Sequence, residues 1–246
     1  MKFYCLVRNL FFKISLLVLL LCCCETLFAQ NDALGGWNIF NFNYFFNKKV
    51  FLYSEIQARS QHVASDFYYH ELKLGAGYNI TDKSAVFLGV GNYKTYTFPG
   101  NFEKPVTANE YRVWQQFIMV NYISRLKFEH RYRVEERWIN DDFSMRFRYR
   151  LFSFIPLNHA TLAAKTVYIP IYDEVFFTNK EPYFLRNRIF GGVGYMFTKN
   201  ISLHTGFIRQ FDYRTSDGGS GKNFIQVQLA INGGHPGKEP QHSNAD

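Results

Sequence analysis

Beyond residue 29 the chain contains no cysteine: Cys5, Cys22, Cys23 and Cys24 account for all 4. A disulfide framework, a thiolate metal site and a cysteine nucleophile are therefore excluded from everything downstream. Long apolar runs are missing too. Past residue 29 nothing approaches the ~20 apolar residues of a spanning helix, and no sustained i, i+3, i+4, i+7 pattern marks an amphipathic one. Basic runs do not occur either. The net charge is +8, but Lys and Arg alternate with apolar residues, so no nucleic-acid surface is expected. Gly75-Ala-Gly77, Gly89-Val-Gly91 and Gly191-Gly-Val-Gly194 have no helix to follow them. They are not phosphate loops; glycine inside a strand marks curvature or close packing. His62 and His70 are too widely spaced for a metal pair, and His235 and His242 stand in a polar tail without other ligands. Neither a metal nor a cofactor is expected.

What is present begins with an export signal. Lys2, Arg8 and Lys13 form a basic region, Ile14 to Cys24 an apolar one, and Glu25-Thr-Leu-Phe-Ala29 a short region leading to the cleavage site. This is the layout of a secretory signal peptide over residues 1–29, cleaved after Ala29, although Leu27 is larger than the usual small residue at its position. An uncleaved anchor is the weaker reading because the apolar run is too short. A lipoprotein is weaker still, since none of Cys22, Cys23 or Cys24 follows a small residue. The leader carries three basic residues and one acidic, so +8 becomes +6 in the exported part.

The most informative stretch is Leu126 to Trp138 (L-K-F-E-H-R-Y-R-V-E-E-R-W). One parity holds Leu126, Phe128, His130, Tyr132, Val134 and Trp138; the other holds Lys127, Glu129, Arg131, Arg133, Glu135 and Arg137. Only an extended strand separates such sets onto opposite faces. A strand this long and this charged on one face fits a wall with lipid outside and a wet, charged interior. Val50, Leu52, Ile56 and Ala58 oppose Tyr53, Glu55, Gln57 and Arg59 in the same way. So do Met145, Phe147, Tyr149 and Leu151 against Arg146, Arg148 and Arg150, and Ile225, Val227, Leu229 and Ile231 against Gln226 and Gln228. Aromatics reach 19% of the chain, which suits the interfacial girdles of a transmembrane barrel.

Strands are expected at 36–46, 50–60, 67–78, 84–96, 109–122, 125–138, 142–155, 160–173, 183–197, 201–214 and 222–232. Asn47-Lys-Lys49, Asn79 to Lys83, Ile123-Ser124, Leu157 to His159 and Thr198-Lys-Asn200 read as tight turns. His62 to Asp66, Thr97 to Ala108, Glu174 to Pro182 and Thr215 to Lys222 read as longer loops at the other end, where Ile139 to Asp142 is the short exception. Bacterial single-chain barrels have an even number of strands. The expectation is therefore an all-β, antiparallel transmembrane β-barrel of ten to twelve strands: either one of these eleven segments is split or merged, or a poorly patterned strand is hidden near Asn31 to Trp37. The barrel is placed at 30–232 and a flexible polar tail at 233–246. A soluble β-sandwich also alternates with period two, but strand lengths, turn asymmetry and the many long strands without proline argue against it.

The inward charges carry the chemistry. A hairpin closing at Trp138 and Phe143 places Glu135 opposite Arg146, Arg133 opposite Arg148 and Arg131 opposite Arg150. Like charges directly across a ladder are unfavourable, so water or carboxylates must intervene; Glu129, Glu110, Glu55, Glu71 and Asp173 are the candidates. The lumen charge ladder is Arg112, Lys127, Glu129, Arg131, Arg133, Glu135, Arg137, Arg146, Arg148 and Arg150. It either stiffens a narrow barrel or makes a basic constriction that favours anions. Ser202 and His204 share an inward face, but nucleophilic catalysis needs a base oriented by a third group, and no acidic partner is near in sequence.

Several of these pieces resemble an uncharacterised (domain of unknown function) family of outer-membrane β-barrels from Gram-negative bacteria. They are Trp37, the Asn47-Lys-Lys49 turn, Glu55-Ile-Gln57, Phe128-Glu-His-Arg-Tyr-Arg-Val-Glu-Glu-Arg137, Arg146-Phe-Arg-Tyr-Arg-Leu151 and Tyr172-Asp-Glu174. The resemblance implies outer-membrane location and a barrel, and carries over no catalytic residue. Barrels of this kind commonly end on an aromatic-terminated strand, whereas here a polar tail follows Asn232, which moves the insertion signal to Phe224–Ile231. The expected function is non-enzymatic: a structural barrel, or a small anion-preferring pore, in contact with outer-membrane lipid and small anionic solutes. A lipid-acting hydrolase and a surface binding protein acting through the longer loops are the alternatives.

Overall fold

A computed structural model describes residues 33–215 and 218–235. The expected leader and all of the tail beyond His235 lie outside the described residues. Among the described residues eleven strands follow one another: β1 Gly35–Phe45, β2 Val50–His62, β3 Ser65–Thr81, β4 Ser84–Tyr96, β5 Val106–Ile123, β6 Leu126–Ile139, β7 Asp142–Pro156, β8 Val167–Thr178, β9 Phe184–Met196, β10 Ile201–Tyr213 and β11 Gly219–Gly234. They close into one barrel in which each strand pairs with its sequence neighbours and β1 pairs with β11. Among the described residues there is no helix.

The closing seam corrects the expected antiparallel pattern. With eleven strands, β1 and β11 must run the same way, and they pair in parallel from Gly35↔Phe224 to Phe45↔Gly234. The sheet is therefore mixed, and Trp37 belongs to β1 rather than to a hidden extra strand. β11 also runs two residues beyond the expected boundary at Asn232.

Following the register once round the seams returns to β1 displaced by about 14 residues. At ~3.3 Å per residue and ~4.8 Å between strands, that shear tilts the strands by about 41° and sets a backbone radius of about 11 Å. A strand of 13 residues, the length of β2, β4, β9 and β10, then rises ~32 Å along the barrel axis.

The turns follow from local chemistry. Asn140 and Asp141 both have positive φ (46° and 71°), the geometry that a two-residue hairpin requires and that Asn and Asp tolerate best. At 46–49 the Asn47 Oδ1 accepts the backbone N–H groups of Lys49 (2.8 Å) and Val50 (2.9 Å). Three connections depart from expectation, one of them Glu174 to Pro182, where β8 runs on to Thr178 and only 179–183 form the loop. His62 to Asp66 is not a loop: β2 and β3 continue to a two-residue turn at 63–64, with Asp66 at φ 57° and a β-bulge between Arg59 and Ser60. Leu157 to His159 is not a tight turn: the connection runs through Thr166, and β8 starts at Val167 instead of residue 160. Side chains there satisfy the backbone locally instead of leaving it to a ladder. Asn158 accepts the Val167 N–H (2.8 Å) and donates to Lys165 O (2.9 Å), and Thr166 Oγ1 accepts the Ala163 N–H (3.0 Å).

The two faces of the wall are reversed relative to a water-soluble fold. Leu52, Ile56, Leu72, Leu74, Leu88, Val90, Ile189 and Val193 are exposed on the outside. Exposed aromatics stand at either end of this band: Tyr44, Phe46, Tyr78 and Phe197 by the 46–49 turn, and Tyr111, Phe143, Phe177, Tyr183 and Tyr213 by the opposite loops. The inside holds the charges together with two aromatic clusters, one around Trp37, Phe152, Tyr172 and Phe190, the other around Phe51, Tyr53, Phe87 and Trp114. The strand glycines make room for these rings. A Cβ at Gly77 would lie 2.2 Å from the Phe51 ring, and one at Gly89 2.1 Å from Trp114.

Candidate functional site

The β6/β7 register places Glu135 against Arg146, Arg133 against Arg148 and Arg131 against Arg150, the pairing expected from the hairpin. All six side chains point inward because their parity is opposite to that of the apolar outer face. The interior is charged, but this ladder is not wet. Glu129, Arg131, Arg133, Glu135 and Arg150 are each 0–2% exposed, because carboxylates and aromatic rings, rather than water, occupy the space between the guanidiniums.

Glu174 on β8 is the principal bridge. It accepts from Arg131 Nη2 at 2.6 Å and from Arg148 Nη2 at 2.7 Å, and lies 3.6 Å from Arg188 Nη1. Glu135 accepts from Arg146 Nε (2.7 Å) and Arg148 Nη1 (2.7 Å), with Arg133 Nη1 at 3.6 Å. Glu129 stands 3.7 Å from Arg150 and 3.5 Å from Lys127. Arg133 donates to Gln116 (2.7 Å). Rings cover the guanidinium faces: Arg133 lies over Trp114 (4.7 Å), Arg148 over Phe176 (4.7 Å) and Arg150 over Phe152 (4.9 Å). Such contacts strengthen when both partners are desolvated.

Arg112 and Arg137 form a separate group with Glu110. Arg112 donates to both Glu110 oxygens (2.6 and 2.8 Å), Arg137 joins the same carboxylate, and Arg112 stacks 3.5 Å over Tyr93. A third group on β2 and β3 joins Lys73 to Glu55 and Glu71, both at 2.6 Å.

Several members were not identified from sequence. Of the five candidate intervening carboxylates, Glu129, Glu110, Glu55 and Glu71 are buried inside, but Asp173 faces outward and accepts from Asn187 (2.6 Å); the bridge is its neighbour Glu174. The signal was available, since Asp173 shares parity with the outward Ile171 and Val175. Lys73, Arg188 and the Arg186–Asp212 pair were also missed, because single charges in otherwise mixed strands do not reveal which cross-lumen partner they meet.

Ser202 and His204 lie on β10, and His204 is buried against the edges of Phe152 and Phe190 with the Tyr168 hydroxyl 3.5 Å from Nδ1. No carboxylate among the described residues orients this imidazole, and it faces the lumen, away from the apolar outer surface.

Charge balance is the distinctive property of the interior. Among the described residues, ten cationic side chains are buried (Arg59, Lys73, Arg112, Lys127, Arg131, Arg133, Arg146, Arg148, Arg150 and Arg188) against six carboxylates (Glu55, Glu71, Glu110, Glu129, Glu135 and Glu174). Buried charge is tolerated only when compensated; Glu71, Glu110, Glu129, Glu135 and Glu174 each meet two or more cations, and the lumen keeps a positive surplus.

No curated protein and no solved structure matches this chain. Residues 34–220, nearly the whole described barrel, match the family described as Protein of unknown function (DUF2490), and the chain belongs to that family.

Proposed function

We propose that this protein is an integral outer-membrane β-barrel, exported through a cleaved leader, that performs no chemistry and whose packed ion-pair interior stiffens the wall. The observation that carries the proposal is the reversed distribution of polarity. A largely apolar band of aliphatic and aromatic residues faces out, further aromatic residues stand at both ends of it, and the buried charges face in. Soluble monomers rarely expose contiguous apolar patches above a few hundred Å², whereas a transmembrane barrel carries an outer apolar band ~25 Å tall between aromatic girdles. The ~32 Å axial rise of the strands exceeds that band. Outer-membrane lipid is then the partner of the outside surface.

A second reading, a small pore preferring anions, is favoured by the surplus of buried cations, since rings of Arg and Lys select anionic solutes. Conduction would require the ladder side chains to move apart. The test is planar-bilayer conductance of the refolded mature chain, with heat-modifiable gel mobility as the folding control. Discrete steps with anion preference, weakened by neutralising Arg131, Arg133 and Arg148, would establish the pore. A folded, silent barrel would leave the charges structural. A chain that stays soluble and does not partition into vesicles would remove the membrane reading altogether.

A further inference from the structure

Arg59 stands near the end of β2, toward the end of the barrel that carries the 97–105 and 179–183 loops. The Arg59 guanidinium lies 3.6 Å over the Trp37 ring and 4.4 Å over Tyr69. Its polar contacts are long: Gln57 Oε1 at 3.4 Å and Glu71 Oε2 at 3.7 Å. Its Nε, fully shielded, makes no hydrogen bond among the described residues. Arg59 is 8% exposed, so little of its side chain reaches bulk water. Arg188 approaches the same Trp37 ring at 4.7 Å; it donates to Gln210 (2.9 Å) and lies 3.6 Å from Glu174.

The carboxylates that reach these two arginines are held more closely by other cations. Glu71 is 2.6 Å from Lys73, and Glu174 is 2.6 Å from Arg131 and 2.7 Å from Arg148. Arg59 and Arg188 are thus left with long carboxylate contacts, 3.7 and 3.6 Å. Because both sit over one indole, their Cζ atoms are within about 8 Å of each other.

From this geometry we infer that the lumen contains an oxyanion site, with Arg59 and Arg188 as its guanidinium ligands, that takes the phosphate group of a small soluble solute. A tetrahedral oxyanion presents oxygens on opposite sides and can accept from two guanidinium forks at once, at ~2.8 Å per charge-assisted hydrogen bond. The β-bulge opposite Arg59 re-aims Tyr68, which stands within electrostatic reach of Arg59, Arg186, Arg188 and Asp212. Access comes from the loop end. The Arg186–Asp212 pair is one register step closer to the loops than Arg188–Gln210, and its side chains are 21% and 31% exposed. The site deepens the anion-preferring reading of the lumen but does not depend on conduction: a barrel silent in a bilayer can still bind phosphate.

The experiment is equilibrium dialysis of labelled inorganic phosphate against the refolded mature chain in detergent, at fixed ionic strength. Saturable binding of one phosphate per barrel is expected, weakened about tenfold or more in Arg59→Gln and in Arg188→Gln and unchanged in Lys48→Gln at the opposite end. Should a glutamine variant fail the heat-modifiability control, Arg59→Lys and Arg188→Lys retain the charge, lose the fork and are expected to bind more weakly as well. Absence of saturable binding by the folded wild type, or wild-type binding by all arginine variants, would overturn the site. Displacement of the phosphate by phosphatidic acid vesicles would assign it to a lipid headgroup and overturn the soluble-solute assignment.

Discussion

Replacing Glu174 by Gln removes one negative charge from a position that serves three buried arginines, at 2.6 Å (Arg131), 2.7 Å (Arg148) and 3.6 Å (Arg188). Taking away one partner of a buried ion pair costs about 3–5 kcal/mol, because the remaining charge stays desolvated and uncompensated. The three contacts share one carboxylate, so their contributions do not add. The amide oxygen can still accept one hydrogen bond, recovering roughly 1 kcal/mol. Against that, Arg131 and Arg150 face each other directly, and their repulsion would lose its nearest screen. We expect a net loss of about 3 kcal/mol. Asp173→Asn is the control: the side chain faces outward and its neighbour Asn187 can still bond to the amide oxygen, so the change should stay within about 0.5 kcal/mol. The assay is reversible urea unfolding in phospholipid vesicles, read by the fluorescence of Trp37, Trp114 and Trp138. A loss below about 1 kcal/mol for Glu174→Gln, or equal losses for both variants, would refute the bridging role of Glu174.

Arg131→Met should be milder than Glu174→Gln, below about 1.5 kcal/mol in the same assay, because it removes a surplus cation and leaves Arg148 on Glu174; an equal or larger loss would contradict the cation surplus. Leu74, 53% exposed at the middle of β3, should tolerate Arg poorly in a bilayer, losing about 2–4 kcal/mol relative to wild type. Unchanged vesicle insertion and stability of Leu74→Arg would argue against lipid on that face. Gly77→Ala drives a methyl into the Phe51 ring and should lower stability by about 1–3 kcal/mol, detected as a lower urea midpoint with unchanged slope.

The barrel and its polarity were written in the sequence because a strand's period of two is a local property. Leu126 to Trp138 separates its faces without reference to any other segment, and the β6/β7 register follows from the short 140–141 turn that closes the hairpin. β8 was misplaced where local propensity met a competing network: Asn158 and Thr166 hold the preceding segment in a turn that alternation alone does not reveal.

What only the tertiary structure decided are the relations between strands distant in the chain. An odd count closes by making β1 and β11 parallel, and chain length or composition contains no such instruction. Likewise Glu174, rather than Asp173, reaches Arg131 on β6, and Arg59 on β2 meets Arg188 of β9 on the Trp37 ring of β1. Residue type and parity determine which side chains face the lumen. Shear and radius determine which of them touch across it, and with them where the surplus positive charge resides.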